Sequence, residues 1–296
     1  MSNLRTEIKD ALRKERPLSE SSLTTYSSLL HTLGKHLEVD KFEEMIKTPI
    51  AEIMKYVDGL KSMSAKKTLL SSLFILTKNE TYQKRMIEYM NETNKQYRTQ
   101  KVVDHRKGSY LTPTQLKDRF DLAESTLKKS PTPDNYIVYL ICALMSGVKV
   151  PPRRLEWNAV KVKNFDTNVD NYLNIKKGVV TFNQYKTFKK YGVQEVQIPK
   201  DVMVNIRKWL KMNDSDYLLV TKTGKQMATS ALSSKIGSIY GNPKIGVDIL
   251  RSIYVSDIYK DLPALEHLED TANAMGHSIN SAMNFYAKKD INSVEK

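Results

Sequence analysis

The chain has 296 residues, enough for two domains that each bury a core of their own. Its 47 lysines and arginines exceed its 33 acidic residues and give a net charge of +14, which favours a polyanionic partner: nucleic acid first, an acidic membrane surface second. The single cysteine, Cys142, excludes a disulfide framework and a cysteine zinc site within one chain, and its apolar run is too short to span a bilayer. Because the N-terminus lacks the apolar segment of a secretory signal, we expect an intracellular protein.

The first part of the chain has the apolar spacing of helices and no period-2 alternation. Leu23, Tyr26, Leu30 and Leu33 share one helical face. Further helices are predicted over residues 49–57, 65–76 and 81–90. We therefore predict a four-helix domain within residues 1–92, followed by a basic linker over residues 93–110. The linker is either a solvated connector or a DNA-contacting segment.

The second predicted domain, residues 111–296, mixes helices with strands. It opens with a capping box of Thr112 and Gln115 around Pro113, and Thr132 starts the next helix in the same way. Short β-branched or aromatic segments predict strands over residues 159–162, 172–175, 179–185 and 193–198, with a turn at 189–192. Helical patterns resume over residues 201–210, 229–239, 246–259 and 264–275. The expected fold class is α+β and mainly helical, with one small antiparallel sheet.

Four short motifs place arginine, lysine, histidine and tyrosine side chains in a fixed order. They are the segment from Arg153 to Trp157, Tyr185-Lys186-Thr187 at a predicted hairpin, Asp248 to Arg251, and Gly276-His277 followed by Tyr286. Metal-free cleavage of a phosphodiester needs an in-line nucleophile, cations that stabilise the charged phosphorus, and an acid for the leaving oxygen. Arginine suits the cationic role, because its planar donors match phosphate oxygens. The sequence has no clustered acidic set of the two-metal type, no Walker A loop and no His-Glu-x-x-His motif, so it does not supply the metal-dependent solution to this cleavage.

These motifs, in this order, resemble those of tyrosine recombinases, from about Leu18 to Tyr286. The family's first arginine begins an Arg-x-x-Glu-Leu stretch, which Arg153 and Glu156 match, with Trp157 in place of leucine. The arginine doublet leaves Arg154 as the alternative register. The preceding Pro151-Pro152 also resembles recombinases of large eukaryotic DNA viruses and related mobile elements.

The resemblance implies a role for each remaining site residue. Lys186 matches the family's hairpin lysine, the acid toward the 5′ oxygen, with Lys189 and Lys190 as alternatives. Arg251 matches the second arginine, His277 the histidine that hydrogen-bonds a non-bridging oxygen, and Tyr286 the nucleophile.

One position departs from the family pattern. Asp248 stands where the family's His-x-x-Arg motif has histidine, and a carboxylate cannot donate a proton to phosphate as an imidazolium can. Asp248 is either a site residue that accepts a hydrogen bond or a plain helix N-cap.

The resemblance also implies a biological setting. The expected architecture is an N-terminal helical core-binding domain and a mixed α/β catalytic domain that close around double-stranded DNA, with a homotetramer on two DNA sites as the working assembly. The reaction would be site-specific recombination or integration through a 3′-phosphotyrosyl intermediate, and the resemblance implies no metal, ATP or other cofactor. We expect the protein to lie with DNA in a bacterial cytoplasm, or in a host nucleus or viral factory if the source is viral. Two alternatives remain: a type IB topoisomerase-like enzyme and a non-catalytic DNA-binding derivative.

Overall fold

The structure is a computed structural model that describes residues 3–286; the side chains of Asp104, His105, Phe285 and Tyr286 lie outside that description. The chain divides into two compact units, one formed by Met1–Lys101 with Pro263–Lys296 and the other by Val102–Leu262. The sequence-based domain division differs from these units because it assigns residues 263–286 to the second domain, and it stays a prediction.

Helices build the N-terminal part of the first unit. They are α1 (Leu4–Glu15), α2 (Glu20–His36), α3 (Phe42–Lys47), α4 (Ile50–Gly59), α5 (Met63–Thr77) and α6 (Glu80–Arg98). Ser19 caps α2 by accepting a hydrogen bond from the Ser22 amide, and the predicted face of α2 is confirmed, with Leu23, Leu30 and Leu33 fully buried.

The four-helix prediction was incomplete in three places. Helices α1 and α3 were not predicted, and α6 continues to Arg98, inside the segment predicted as a linker. Helix α1 is rich in charge, yet Leu4, Ile8 and Leu12 form a narrow apolar stripe that is buried in the core of the unit.

The second unit opens as the sequence predicts. After a 3₁₀ turn over Asp104–Ser109, α7 (Pro113–Lys129) begins with the full capping box of Thr112 and Gln115, and α8 (Pro133–Met145) is capped by Thr132. Helix α8 is the central core helix, and burial raises the pKa of its Cys142 thiol to about 12.

A small antiparallel sheet follows, in the order β1-β2-β3. Its strands are β1 (Tyr172–Asn174), β2 (Val179–Phe182) and β3 (Gln194–Gln197), and the one-turn helix α9 (Phe188–Tyr191) lies between the last two. Phe182 pairs with Gln194 at the end of the hairpin. Gly192 ends α9 with a φ of 64°, the left-handed conformation that glycine adopts at little cost.

Two strand predictions require correction. Residues 159–162 do not form a strand, because only Lys161 makes isolated bridges, to Tyr172 and Tyr217. The strand predicted over residues 179–185 ends at Phe182, because the next two backbone amides donate to the Asn171 side chain instead of a neighbouring strand.

The remaining helices complete both units. They are α10 (Lys200–Leu210), α11 (Thr229–Ile239) and α12 (Val247–Ile258) in the second unit, then α13 (Leu265–Ala274) and α14 (Ile279–Ser281) in the first, with a π-helical turn over Ala282–Tyr286. The mainly helical α+β fold with a small antiparallel sheet is thereby confirmed. None of the helices between residues 3 and 286 is long and apolar enough to cross a membrane.

Candidate active site

Arg153 is held by polar contacts at the start of the loop that leads into a 3₁₀ turn, Leu155–Ala159. Its Nη1 donates to Oε1 of Gln194 at 2.7 Å, and its Nη2 donates to Oε1 of Glu156 at 3.4 Å. The Arg153 side chain is only 16% exposed and that of Glu156 only 12%, so solvent screens this ion pair less than an exposed one. The guanidinium is therefore fixed in place before any ligand arrives.

Two aromatic rings of the β2–β3 hairpin complete the surroundings of Arg153. The guanidinium carbon lies 4.2 Å from the Phe182 ring centroid and 5.1 Å from that of Tyr185, within cation–π range. The Tyr185 hydroxyl donates to the carbonyl of Gly192 at 2.8 Å, which fixes its ring across the hairpin. The Arg153 Nε is buried and makes no hydrogen bond within the described part of the chain, the kind of orphaned donor that calls for an explanation.

These contacts distinguish the two arginines of the doublet. Arg153 pairs with Glu156, three residues further on, as the Arg-x-x-Glu pattern requires. Arg154 is the residue that precedes the 3₁₀ turn, and its side chain makes no capping hydrogen bond there. The geometry favours the Arg153 register, whose catalytic role stays a prediction.

Lys186 lies in the turn of the same hairpin. It is exposed and directly follows Tyr185, whose ring packs on the Arg153 guanidinium. It does not end a strand, because β2 stops at Phe182. The alternatives, Lys189 and Lys190, are exposed on α9. Of the three lysines, Lys186 is the one adjacent in sequence to a residue that contacts Arg153.

A buried asparagine pair anchors the chain just before this turn. Asn171 Oδ1 accepts from the amides of Asn183 at 2.9 Å and Gln184 at 2.7 Å, and its Nδ2 donates to the Gln184 carbonyl at 2.8 Å. Asn183 Nδ2 donates in turn to the carbonyls of Thr167 and Asp170, each at 2.8 Å. Because buried amide groups are costly to leave unpaired, this network sets the position of the backbone two residues before Lys186.

Arg251 is half-buried on α12, one turn after Asp248. The N-cap of this helix is Gly246 and no side chain caps it, so the reading of Asp248 as an N-cap is wrong. Asp248 lies in the first turn, exposed, with its Oδ2 2.9 Å from Nη1 of Arg106. Its carboxylate therefore already has a cationic neighbour.

Close packing of the Tyr254 ring on the backbone of Gly147 positions α12 against the loop that leads to Arg153. Gly147 has a φ of 93°, and a Cβ at that position would lie 2.5 Å from Cδ2 of Tyr254. Tyr254 is one turn after Arg251 on the same helix. Only glycine fits here, and the contact keeps the loop of the first arginine beside the helix of the second. A groove of about 430 Å³ nearby, between α7, the loop and α12, is lined by none of the candidate residues.

His277 follows a helix end that explains the glycine before it. Gly276 adopts a φ of 74°, its amide donates to the Asn273 carbonyl at 3.0 Å, and the His277 amide donates to the Ala272 carbonyl at 2.9 Å. These two bonds are the Schellman pattern that ends helices, here α13. The side chain of Ser278 then caps α14 by accepting from the Ser281 amide. His277 is thus fixed at the junction of two helices.

Tyr286 is the last residue of the π-helical turn, and its side chain lies outside the described residues. His277 and Tyr286 belong to the unit that includes the N-terminal helices, where Nε of Arg98 lies 3.6 Å from Oε1 of Glu269. Arg153, Lys186 and Arg251 belong to Val102–Leu262. That the histidine and tyrosine act with the arginines stays a prediction.

Several contacts of the site were not identified from the sequence. Phe182 and Gln194 lie in different strands and carry no motif that points to Arg153, and the sequence marks Tyr185 only as the residue before Lys186. In the sequence, Arg106 is only one cation of the predicted basic linker. Within the described chain, no group of three or more His, Cys, Asp and Glu side chains could hold a metal ion.

The chain is similar to solved structures of recombinases and integrases. One is XerA recombinase, at 14% identity over 98% of this chain and 96% of that chain, with a TM-score of 0.35. A lambda integrase tetramer bound to a Holliday junction is 12% identical over 94% of this chain and 75% of that one, with a TM-score of 0.48. A lambda integrase dimer bound to a COC′ core site is 11% identical over 90% and 93%, also at 0.48. No protein-family model and no curated protein sequence matches the chain.

Proposed function

We propose that the protein is a tyrosine recombinase, which cuts and rejoins double-stranded DNA at specific sites without a metal. The observation that carries this proposal is the fixed guanidinium of Arg153, held between Gln194, Glu156 and the rings of the hairpin that carries Lys186. A cation that is oriented before the reaction stabilises developing charge without reorganising, which is the main requirement of metal-free phosphoryl transfer.

Each residue that matches the family pattern has one role in the proposed reaction, and Asp248, which departs from that pattern, has none. The Tyr286 hydroxyl loses its proton to solvent as its oxygen attacks the scissile phosphorus, and the bond from phosphorus to the 5′ oxygen breaks. Lys186 gives its proton to that leaving oxygen, so that a 3′-phosphotyrosyl bond and a free 5′-hydroxyl remain. Arg153, Arg251 and His277 hold the non-bridging oxygens. Attack by the 5′-hydroxyl of a partner strand reverses these steps and joins the new strands.

The charge of the chain supports DNA as the partner. The net charge of +14 includes an exposed cluster on the β2–β3 hairpin: Lys186, Lys189 and Lys190. Such a surface binds phosphates by counterion release. We further propose that four protomers act on two DNA sites, and that the protein works with DNA inside the cell.

A suicide DNA substrate tests the chemistry. A nick close to the scissile phosphate lets the short product leave, so a phosphotyrosyl complex accumulates and is counted on a denaturing gel. Wild type should form the complex in the presence of a chelator. Tyr286→Phe removes one oxygen atom, so it should form none while binding the same DNA with nearly unchanged affinity.

The same assay separates the alternatives. Capture followed by exchange with a second duplex supports a recombinase, whereas capture with resealing of the same strand alone identifies a topoisomerase-like enzyme. DNA binding without capture identifies a non-catalytic derivative. Capture by Tyr286→Phe at the wild-type level would show that another residue is the nucleophile.

A further inference from the structure

The segment predicted as a basic linker is docked on the start of α12. Its Gly108 carbonyl accepts a hydrogen bond from Nδ2 of Asn242 at 3.1 Å, and the hydroxyls of Tyr110 and Ser252 lie 3.2 Å apart. The Arg106 amide also donates to the Val103 carbonyl at 2.9 Å, which closes the turn. The segment around Arg106 is therefore held in place beside the helix that carries Arg251.

Arg106 uses this placement to reach Asp248. Its Nη1 lies 2.9 Å from Oδ2 of Asp248, with 45% of the arginine side chain and 57% of the aspartate side chain exposed. Exposed pairs of this kind contribute little to stability. The pair therefore matters through its effect on neighbouring charges, of which Arg251 is the nearest along the helix.

Asp248 and Arg251 are three residues apart on one helix, a spacing at which side chains of opposite charge meet. A carboxylate with no other partner would pair with the Arg251 guanidinium and occupy donors that a phosphate needs. We propose that Arg106 is a positioning residue that engages Asp248 and so leaves Arg251 available to the scissile phosphate. This inference rests on the proposed function, because it assigns Arg106 a purpose only where Arg251 binds phosphate.

An epistasis experiment tests this role. Single-turnover cleavage of the suicide substrate is measured at saturating DNA for Arg106→Ala, Asp248→Asn and the double variant. Arg106→Ala should slow cleavage by roughly three- to tenfold, the size of coupling expected for partly exposed neighbouring charges. Asp248→Asn removes the competing charge and should cleave at about the wild-type rate. The double variant should match Asp248→Asn, because Arg106 has nothing left to engage.

Each competing role for Arg106 gives a different pattern. If Arg106 only contacts DNA, Arg106→Ala weakens binding and Asp248→Asn does not restore it. If Asp248 is itself essential for cleavage, Asp248→Asn is slow on its own. If the pair only stabilises the fold, both single variants lose melting temperature alike and cleave normally at saturating DNA. Any of these results overturns the inference.

A control variant and the wild-type reaction itself show which of the two proposals fails. Lys244→Ala removes an exposed cation from the loop before α12, and it should leave single-turnover cleavage unchanged at saturating DNA. If wild type forms no covalent complex, the proposed function fails and the inference fails with it. If wild type forms the complex and the rescue by Asp248→Asn is absent, the inference alone is refuted.

Discussion

Replacing Arg153 tests the site at its best-defined point. Arg153→Ala removes a charged hydrogen bond to Gln194, worth about 1.5–3 kcal/mol, and cation–π contacts worth about 0.5–2 kcal/mol each. Removal of the orphaned Nε offsets part of this loss, whereas leaving the largely buried Glu156 carboxylate without its cation adds to it. We expect a loss of at least about 2–3 kcal/mol in the free energy of unfolding, measured by urea denaturation.

The expected loss in catalysis is larger than the loss in stability. Removing an oriented donor from a charged transition state typically lowers the rate by about 10²–10³-fold. Arg153→Ala should therefore slow single-turnover cleavage by at least that factor at saturating DNA and at a temperature where the variant is folded. Arg153→Lys keeps the charge but loses the planar fork and the stacking on Phe182, so it should fall within about tenfold of Arg153→Ala.

Two matched variants separate charge from position. Gln194→Ala keeps the guanidinium but removes its hydrogen-bond partner, so it should cost about 1–2 kcal/mol of stability and slow cleavage by roughly tenfold. Arg154→Ala removes the neighbouring charge and should cleave nearly as wild type at saturating DNA. A large rate loss in Arg154→Ala with near-normal cleavage by Arg153→Ala would show that the register is wrong. Losses confined to affinity would reduce Arg153 to an ordinary phosphate contact.

Three further predictions concern the surroundings of the site and its partner. Asn171→Ala leaves two amides and a carbonyl of the hairpin unpaired, so it should lower the free energy of unfolding by at least about 1–3 kcal/mol. It should also increase hydrogen exchange at the amides of Asn183 and Gln184. Unchanged exchange would contradict the anchoring role. Gly276→Ala forces a φ of 74° on a residue with a Cβ, so it should lower the free energy of unfolding in urea by about 1 kcal/mol. The control Gly59→Ala has open space and a helical backbone, so it should not destabilise the protein. If the protein makes about 6–10 phosphate contacts, its affinity for duplex DNA should fall roughly 10³–10⁵-fold between about 50 and 200 mM salt; a flat profile would argue against a DNA-binding surface.

Features set by neighbouring residues could be predicted from the sequence. The capping box of Thr112 and Gln115 needs only two side chains three positions apart, and the structure contains both of its hydrogen bonds. The helix predicted over residues 264–275 likewise stops just before Gly276, where the structure has the end of α13. In both cases the residues that form the hydrogen bonds are neighbours in sequence, so the feature can be predicted without knowledge of the fold.

Features set by distant residues could not be predicted. The segment 159–162 is apolar enough for a strand, but only Lys161 forms bridges there, and no local pattern reveals that. Strand β2 ends at Phe182 because the amides of Asn183 and Gln184 donate to the side chain of Asn171, which lies before the hairpin. The pairing of Arg106 with Asp248 depends on how the linker docks, and the sequence shows only a basic segment and an unexpected aspartate.

The contrast between Arg153 and Lys186 follows from the different demands of their proposed roles. A residue that stabilises charge must be oriented beforehand, since reorganisation during the reaction would cancel its benefit. Arg153 meets this demand through Gln194, Glu156 and two rings. A proton donor must instead reach the leaving oxygen of the substrate, so we expect it on an exposed turn whose flanking backbone is held in place. Lys186 is exposed and its backbone is anchored two residues earlier. The β2–β3 hairpin thus holds the Arg153 guanidinium between fixed side chains and presents Lys186 on an exposed turn. Changes at Asn171 should therefore affect proton transfer more than phosphate binding.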